Sequence, residues 1–228
     1  MTVESVRRRR RLLAWIPAGI LVVAVIGVGV ASALLLGNGL GDPAPKPTVG
    51  QVTELNWSSF TPEGLEFIRA SRQVRIDMSR PPVESGPLGL ADDGTLVLEP
   101  INTGDTELDY SLIINGGGEG AGGDKFIVTQ IEIVTEGGLV THVRAPLRDV
   151  VNFRQTLDKL LDKAELFGWD VSGVDEIYTL VEKATRAGEP YQFGFGPAGR
   201  AGMDVSATAS CDTSGFCLVE YDAAPSVR

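Results

Sequence analysis

The longest uninterrupted apolar pattern of the chain lies near its N-terminus. Twenty-five consecutive uncharged residues run from Leu12 to Leu36. As a helix, such a segment would be about 37 Å long, which exceeds the roughly 30 Å of hydrocarbon in a bilayer. The pattern therefore predicts a transmembrane helix over residues 12–36, with the lipid bilayer as its partner.

The residues before this segment carry positive charge. The five that directly precede Leu12 are arginines, Arg7, Arg8, Arg9, Arg10 and Arg11. Because clustered arginines are retained on the cytoplasmic side of a membrane, we expect residues 1–11 to form a basic cytoplasmic tail. Everything after the span would then lie outside, which is the topology of a single-pass cell-membrane protein.

A cleaved secretory signal is the alternative to a retained anchor. Small residues at Ala31-Ser32-Ala33 fit a cleavage site, but the apolar run continues to Leu36. The apolar core of a cleaved signal usually has about 7–15 residues, which is shorter than this one. We therefore expect a signal-anchor that is not removed.

The sequence after the span changes in composition twice. Residues 37–50 are rich first in glycine and then in proline, which favours a stalk without a core of its own. Residues 51–228 contain the alternating and helical patterns of a folded domain, and their length suffices for one hydrophobic core. We expect this segment to be the extracytoplasmic domain.

Alternation of apolar and polar residues predicts several strands in this domain. The clearest runs from Phe126 to Glu136, followed by a Gly137-Gly138 turn and a returning strand. Read as one continuous strand, it places Ile127, Ile131 and Ile133 on a single apolar face. The same register predicts that His142 points toward the core.

Two helices follow this hairpin in the predicted order. The first has an apolar stripe from Val150 to Phe167 and ends at Gly168, and the second is capped by Ser172 and ends at Gly188. Strands return after the second helix. The fold class predicted is α+β, a mainly antiparallel sheet with an antiparallel helix pair on one face.

The cysteine spacing predicts a disulfide. Cys211 and Cys217 flank a turn-forming segment in the exterior part of the chain, where thiols are oxidised. The Cys-x-x-Cys spacing of a redox site is absent, and two cysteines with one histidine are too few for zinc. We expect a structural bond across the tip of a hairpin.

Charge narrows the range of partners. The formal net charge is −10, and residues 1–11 contribute +4, so the remainder carries −14. Such an acidic exterior domain argues against nucleic acid as a binding partner. Gly27 with Ala31, and Gly29 with Ala33, have the four-residue spacing that lets membrane helices associate, which makes a homodimer through the span an open alternative.

Motifs for catalysis are missing from the sequence. It contains no Gly-x-Ser-x-Gly, no His-Glu-x-x-His and no complete EF-hand loop, so we predict no enzyme, cofactor or metal. The function predicted is a membrane-anchored binding module of the cell envelope, with an envelope protein or polymer as partner. Two alternatives stay open: a sensor or regulator acting through helix association, and a hydrolase using carboxylates.

Overall fold

The computed structural model describes residues 46–48, 50–103, 106–117, 124–147, 150–199 and 202–226. The basic tail with Arg7–Arg11, the span from Leu12 to Leu36 and most of the stalk lie outside these residues. Their assignments stay predictions. Within the described ranges, no helix has the length and apolar character needed to cross a membrane.

The domain is α+β with mostly antiparallel sheets and few helices, as the sequence predicts. Its α-helices are α1 (Pro62–Ser71), α2 (Phe153–Phe167) and α3 (Val174–Ala187), and a short 3₁₀ helix covers Gly86–Leu88. Its strands are β1 Gln73–Asp77, β2 Gly94–Leu98, β3 Ile101–Thr103, β4 Thr106–Leu108, β5 Tyr110–Asn115, β6 Asp124–Val128, β7 Ile131–Glu136, β8 Leu139–Pro146, β9 Val151–Asn152, β10 Tyr191–Ala198, β11 Met203–Cys211 and β12 Phe216–Pro225.

The described strands form three sheets. The largest has the order β10-β11-β12-β8-β7-β2, with β9 paired to β12, and every pairing in it is antiparallel. A smaller sheet has the order β1-β5-β6, in which β1 and β5 run parallel. Strands β3 and β4 form a separate antiparallel pair.

The strand predicted from Phe126 to Glu136 is in fact two strands in different sheets. The chain leaves the first sheet after Val128 and enters the second at Ile131. This break changes which alternate residues face inward, so Ile131 and Ile133 are buried while Ile127 is 46% exposed. The prediction that Ile127 shares their apolar face is therefore wrong.

The hairpin that joins β7 to β8 turns at Gly137-Gly138, which confirms the predicted turn. Both glycines have positive φ, 59° and 78°, as a type I′ turn requires. The register then shifts, because Thr135 pairs with Val140 while Val134 pairs with His142. The extra residue in β8 moves His142 off the core face, and its predicted inward orientation is wrong.

Helix α2 begins and ends where local sequence favours it. The side chain of Asn152 accepts a hydrogen bond from the backbone of Gln155, and Gly168 closes the helix in the left-handed region. Its buried side chains include Leu157, Leu160 and Phe167. Val150 precedes the helix and is 58% exposed, so it does not belong to the predicted stripe.

Helix α3 lies against β10, whereas α2 lies against β10, β11 and β12. It begins after Gly173 without a side-chain cap, so the predicted capping by Ser172 is wrong. It ends at Gly188 as predicted. The rings of Phe153 in α2 and Tyr178 in α3 meet edge to face with centroids 5.7 Å apart, which joins the two helices.

Candidate functional site

A cleft of about 690 Å³ lies where α1 begins and β1 ends. Two loops form its walls, residues 50–59 and residues 82–88. We call it the Trp57 cleft. Its lining consists of Gly50, Val52, Thr53, Glu54, Leu55, Trp57, Ser59, Thr61, Asp77, Pro82, Val83, Glu84, Pro87 and Leu88.

The loop that carries Trp57 is closed by its own hydrogen bonds. The backbone N–H of Thr53 donates to the carbonyl of Trp57 at 2.9 Å, and the N–H of Trp57 donates to Thr53 Oγ1 at 3.1 Å. Asn56 between them has φ 63°, a left-handed conformation that asparagine tolerates better than most residues. The closed loop leaves Leu55 at its tip, 72% exposed, with Trp57 half-buried behind it.

The same loop is fixed to the smaller sheet and to α1. Ser58 and Arg75 exchange two hydrogen bonds: the Ser58 N–H donates to the Arg75 carbonyl, and the Arg75 N–H donates to Ser58 Oγ. The hydroxyl of Thr61, which caps α1, donates to the carbonyl of Gly50 at 3.3 Å. These bonds hold the wall that carries Trp57 in a defined position.

The opposite wall is held by the β7–β8 hairpin. The N–H of Ser85 donates to the carbonyl of Gly138, and the N–H of Val140 donates to the carbonyl of Val83. A further bond links Phe60, the residue that follows the first wall, to the second wall: its N–H donates to the carbonyl of Leu88 at 2.7 Å. The cleft is therefore built from segments that are far apart in the sequence but are each tied to a sheet.

The charge of the lining is entirely negative. Glu54, Asp77 and Glu84 contribute carboxylates, and the lining residues that the structure describes include no lysine, arginine or histidine. Asp77 Oδ1 accepts hydrogen bonds from the Ser79 N–H and from Asn115 Nδ2, both at 3.0 Å. These bonds orient the Asp77 carboxylate at the end of β1.

The lining combines this charge with apolar surface. The apolar lining residues are Leu55, Trp57, Pro82, Val83, Pro87 and Leu88. Apolar concave surfaces with a few oriented polar groups are the usual form of a binding site. Among the described residues, no group of acidic, cysteine and histidine side chains is arranged to hold a metal ion.

His142, the one histidine of the chain, lies elsewhere, on the exposed side of the large sheet. Its Nδ1 is 3.0 Å from Asp222 Oδ1, and the Arg144 Nε is 3.7 Å from Asp222 Oδ2. Arg144 and Asp222 are direct cross-strand partners on β8 and β12. Such pairs stabilise a sheet, and none of these three residues lines the Trp57 cleft.

The predicted disulfide between Cys211 and Cys217 is present. The two cysteines are cross-strand partners at the end of the β11–β12 hairpin, which confirms the expected position. No pattern in the sequence predicts the Trp57 cleft. A tryptophan in a polar segment and the Pro81-Pro82 pair are the local signals, but only the fold brings them to the same place.

No protein-family model, no curated protein and no solved structure matches this chain.

Proposed function

We propose that this chain is a single-pass membrane-anchored binding module of the cell envelope, whose exterior domain binds a ligand in the Trp57 cleft. The observation that carries this proposal is the cleft itself, with its exposed apolar residues, its half-buried tryptophan and its oriented carboxylate. The apolar segment 12–36 behind five arginines supports the anchor, and the glycine- and proline-rich residues 37–50 support a stalk.

The anchor and its topology can be tested with a fusion protein. Alkaline phosphatase placed after Arg228 should be active, because the proposal places the C-terminus outside. N-terminal sequencing of the membrane-bound protein should begin before Leu12. A mature N-terminus at Leu34 would show that the segment is a cleaved signal instead.

Binding in the cleft can be tested by photo-crosslinking in intact cells. A photoreactive phenylalanine analogue at position 55 would present its group at the cleft, since Leu55 is at the loop tip. The matched control is the same analogue at position 178, because Tyr178 is 47% exposed on α3 and does not line the cleft. We expect a discrete crosslinked product from position 55 alone. Equal products from both positions, or none from position 55, would contradict the proposal.

A second candidate function is a hydrolase that uses carboxylates, because the cleft contains three of them. A general acid needs a carboxyl group in a buried, apolar environment so that it holds its proton near neutral pH. Glu54 and Glu84 are exposed, and Asp77 Oδ1 is occupied by two hydrogen bonds within the domain. Binding is therefore our first proposal. Release of soluble fragments from purified envelope polymer, abolished by Glu84→Gln, would favour the hydrolase.

A further inference from the structure

The two described tryptophans have different environments, and the difference bears on the cleft. Trp169 is buried among other rings, and its Nε1 donates to the Val205 carbonyl at 2.8 Å. Trp57 has no ring contact and no side-chain hydrogen bond to any other described residue. Trp57 is partly exposed in the lining of the cleft, so its side chain is available to a ligand.

The carboxylates that line the cleft together with Trp57 are not neutralised within the described part of the domain. Glu54, Asp77 and Glu84 form no ion pair with any described residue. Negative charge in a cleft with apolar walls concentrates its field there and attracts cations. An anionic ligand would be repelled, and a purely apolar ligand would remove the carboxylates from water without replacing their hydrogen bonds.

From these observations we propose that the Trp57 cleft binds an extended peptide segment through a lysine or arginine side chain. This inference rests on the proposed function of the cleft as a binding site. The cation would lie over the indole face of Trp57, the aromatic ring that attracts cations most strongly, and would pair with the Asp77 and Glu84 carboxylates. The aliphatic part of the side chain would contact Leu55 and Val83.

The size and walls of the cleft favour a peptide over a small cation. A cleft of about 690 Å³ is within the range of sites that hold ligands of many atoms. Pro82 and Pro87 add rigid apolar surface beside the carboxylates, which suits the residues that flank the basic one. Grooves lined by aromatic residues bind extended, proline-containing peptides because such peptides lose little conformational entropy on binding.

The test uses the full-length chain in neutral detergent and a fluorescent, end-blocked peptide of alternating proline and lysine. A second peptide has glutamine in place of every lysine. We expect the lysine peptide to bind at least about tenfold more tightly than the glutamine peptide. Trp57→Leu and the double variant Asp77→Asn with Glu84→Gln should each weaken binding by about tenfold or more.

Two controls separate the cleft from general attraction to an acidic protein. Glu136→Gln removes an exposed carboxylate that does not line the cleft, and it should leave affinity unchanged within about twofold. Thermal unfolding of each variant checks the fold. If Trp57→Leu fails to fold, Trp57→Phe is measured in its place. This variant keeps an aromatic face and should retain most of the affinity.

Each other outcome has a defined meaning. Binding of the lysine peptide that is unchanged by the Trp57 and carboxylate variants would overturn the proposal, because attraction would then be nonspecific. Equal, Trp57-dependent binding of both peptides would reject the cationic ligand but support a binding cleft. If neither peptide binds at millimolar concentration, the proposal that the cleft binds a peptide is rejected. The crosslinking experiment at position 55 then tests the proposed binding function independently.

Discussion

The indole of Trp169 donates a hydrogen bond to the carbonyl of Val205 at 2.8 Å, so the segment after α2 is joined to β11 through a side chain. Both residues are buried. Trp169→Phe keeps a ring but leaves the Val205 carbonyl without this donor. We expect the free energy of unfolding to fall by about 1–3 kcal/mol, the cost of an unsatisfied buried polar group.

Trp57 provides the matched comparison for Trp169. Because Trp57 is partly exposed and lacks ring contacts among the described residues, Trp57→Phe should lower the free energy of unfolding by less than about 1 kcal/mol. Urea denaturation of the purified chain measures both variants. Equal losses for the two tryptophans would show that Trp57 is a structural residue rather than part of a binding surface.

Gly64 in α1 is a second position where a small change has a large expected effect. A Cβ on Gly64 would overlap the backbone carbonyl of Ser59, a residue of the cleft wall. Gly64→Ala would normally favour a helix, but here the wall must move away from α1. We expect a loss of about 1–3 kcal/mol in the free energy of unfolding.

The control for Gly64 lies in the opposite loop. A Cβ on Gly86 would meet no heavy atom within 4 Å, so Gly86→Ala should be neutral within about 0.5 kcal/mol. Thermal unfolding of the two alanine variants, measured side by side, gives the comparison. If Gly64→Ala were as harmless as Gly86→Ala, the close packing of α1 against the cleft wall would be refuted.

The disulfide between Cys211 and Cys217 closes a short loop at the tip of the β11–β12 hairpin. Replacing both cysteines by alanine should lower the free energy of unfolding by about 2 kcal/mol, since a short loop restricts the unfolded chain only modestly. The native protein should also resist alkylation until a reductant is added. Two reactive thiols in the native, unreduced protein would contradict the bond.

Tyr110 should make the free energy of unfolding decrease as the pH becomes alkaline. Burial raises the pKa of its phenol above the usual value of 10.0, and its hydroxyl donates to the Glu99 carbonyl. As pH rises past the pKa of the unfolded state, the unfolded chain loses this proton first. The stabilising contribution of Tyr110 to the free energy of unfolding is therefore complete below the pKa of the unfolded state. It is lost as the pH rises through the pKa of the folded state.

The variant Tyr110→Phe isolates this effect. It removes one hydrogen bond, at a cost of about 0.5–1.5 kcal/mol at neutral pH. It should also reduce the loss of stability between about pH 8 and about pH 11. Some alkaline loss should remain, because burial raises the pKa of Tyr191 as well. Identical pH profiles for the variant and the original chain would refute the role of Tyr110.

Local patterns in the sequence predicted the elements that depend on neighbouring residues. Helix α2 with its end at Gly168, the Gly137-Gly138 turn and the disulfide hairpin all follow from short-range geometry. The errors arose where one residue changes the strand register. The break between β6 and β7 reversed the side that Ile127 faces, and the extra residue in β8 did the same for His142.

The Trp57 cleft could not be predicted in this way. Its walls are loops with no periodic pattern, and they meet because hydrogen bonds tie each of them to a different sheet. The parallel pairing of β1 with β5 is equally nonlocal, since alternation within a strand does not specify its partner. Residues such as Trp57 and Asp77 therefore became candidates only from their positions in the fold.

The bonds that fix the cleft also determine when it can form. Asp77 is held by Asn115, which lies 38 residues later in the chain. The wall formed by residues 82–88 is held by Gly138 and Val140, which are more than 50 residues later. Because closing such long loops costs entropy before these contacts form, we expect the cleft to assemble late in folding. A nascent chain that has not yet extended through β8 contains Trp57 but has no completed site in which a ligand could contact it.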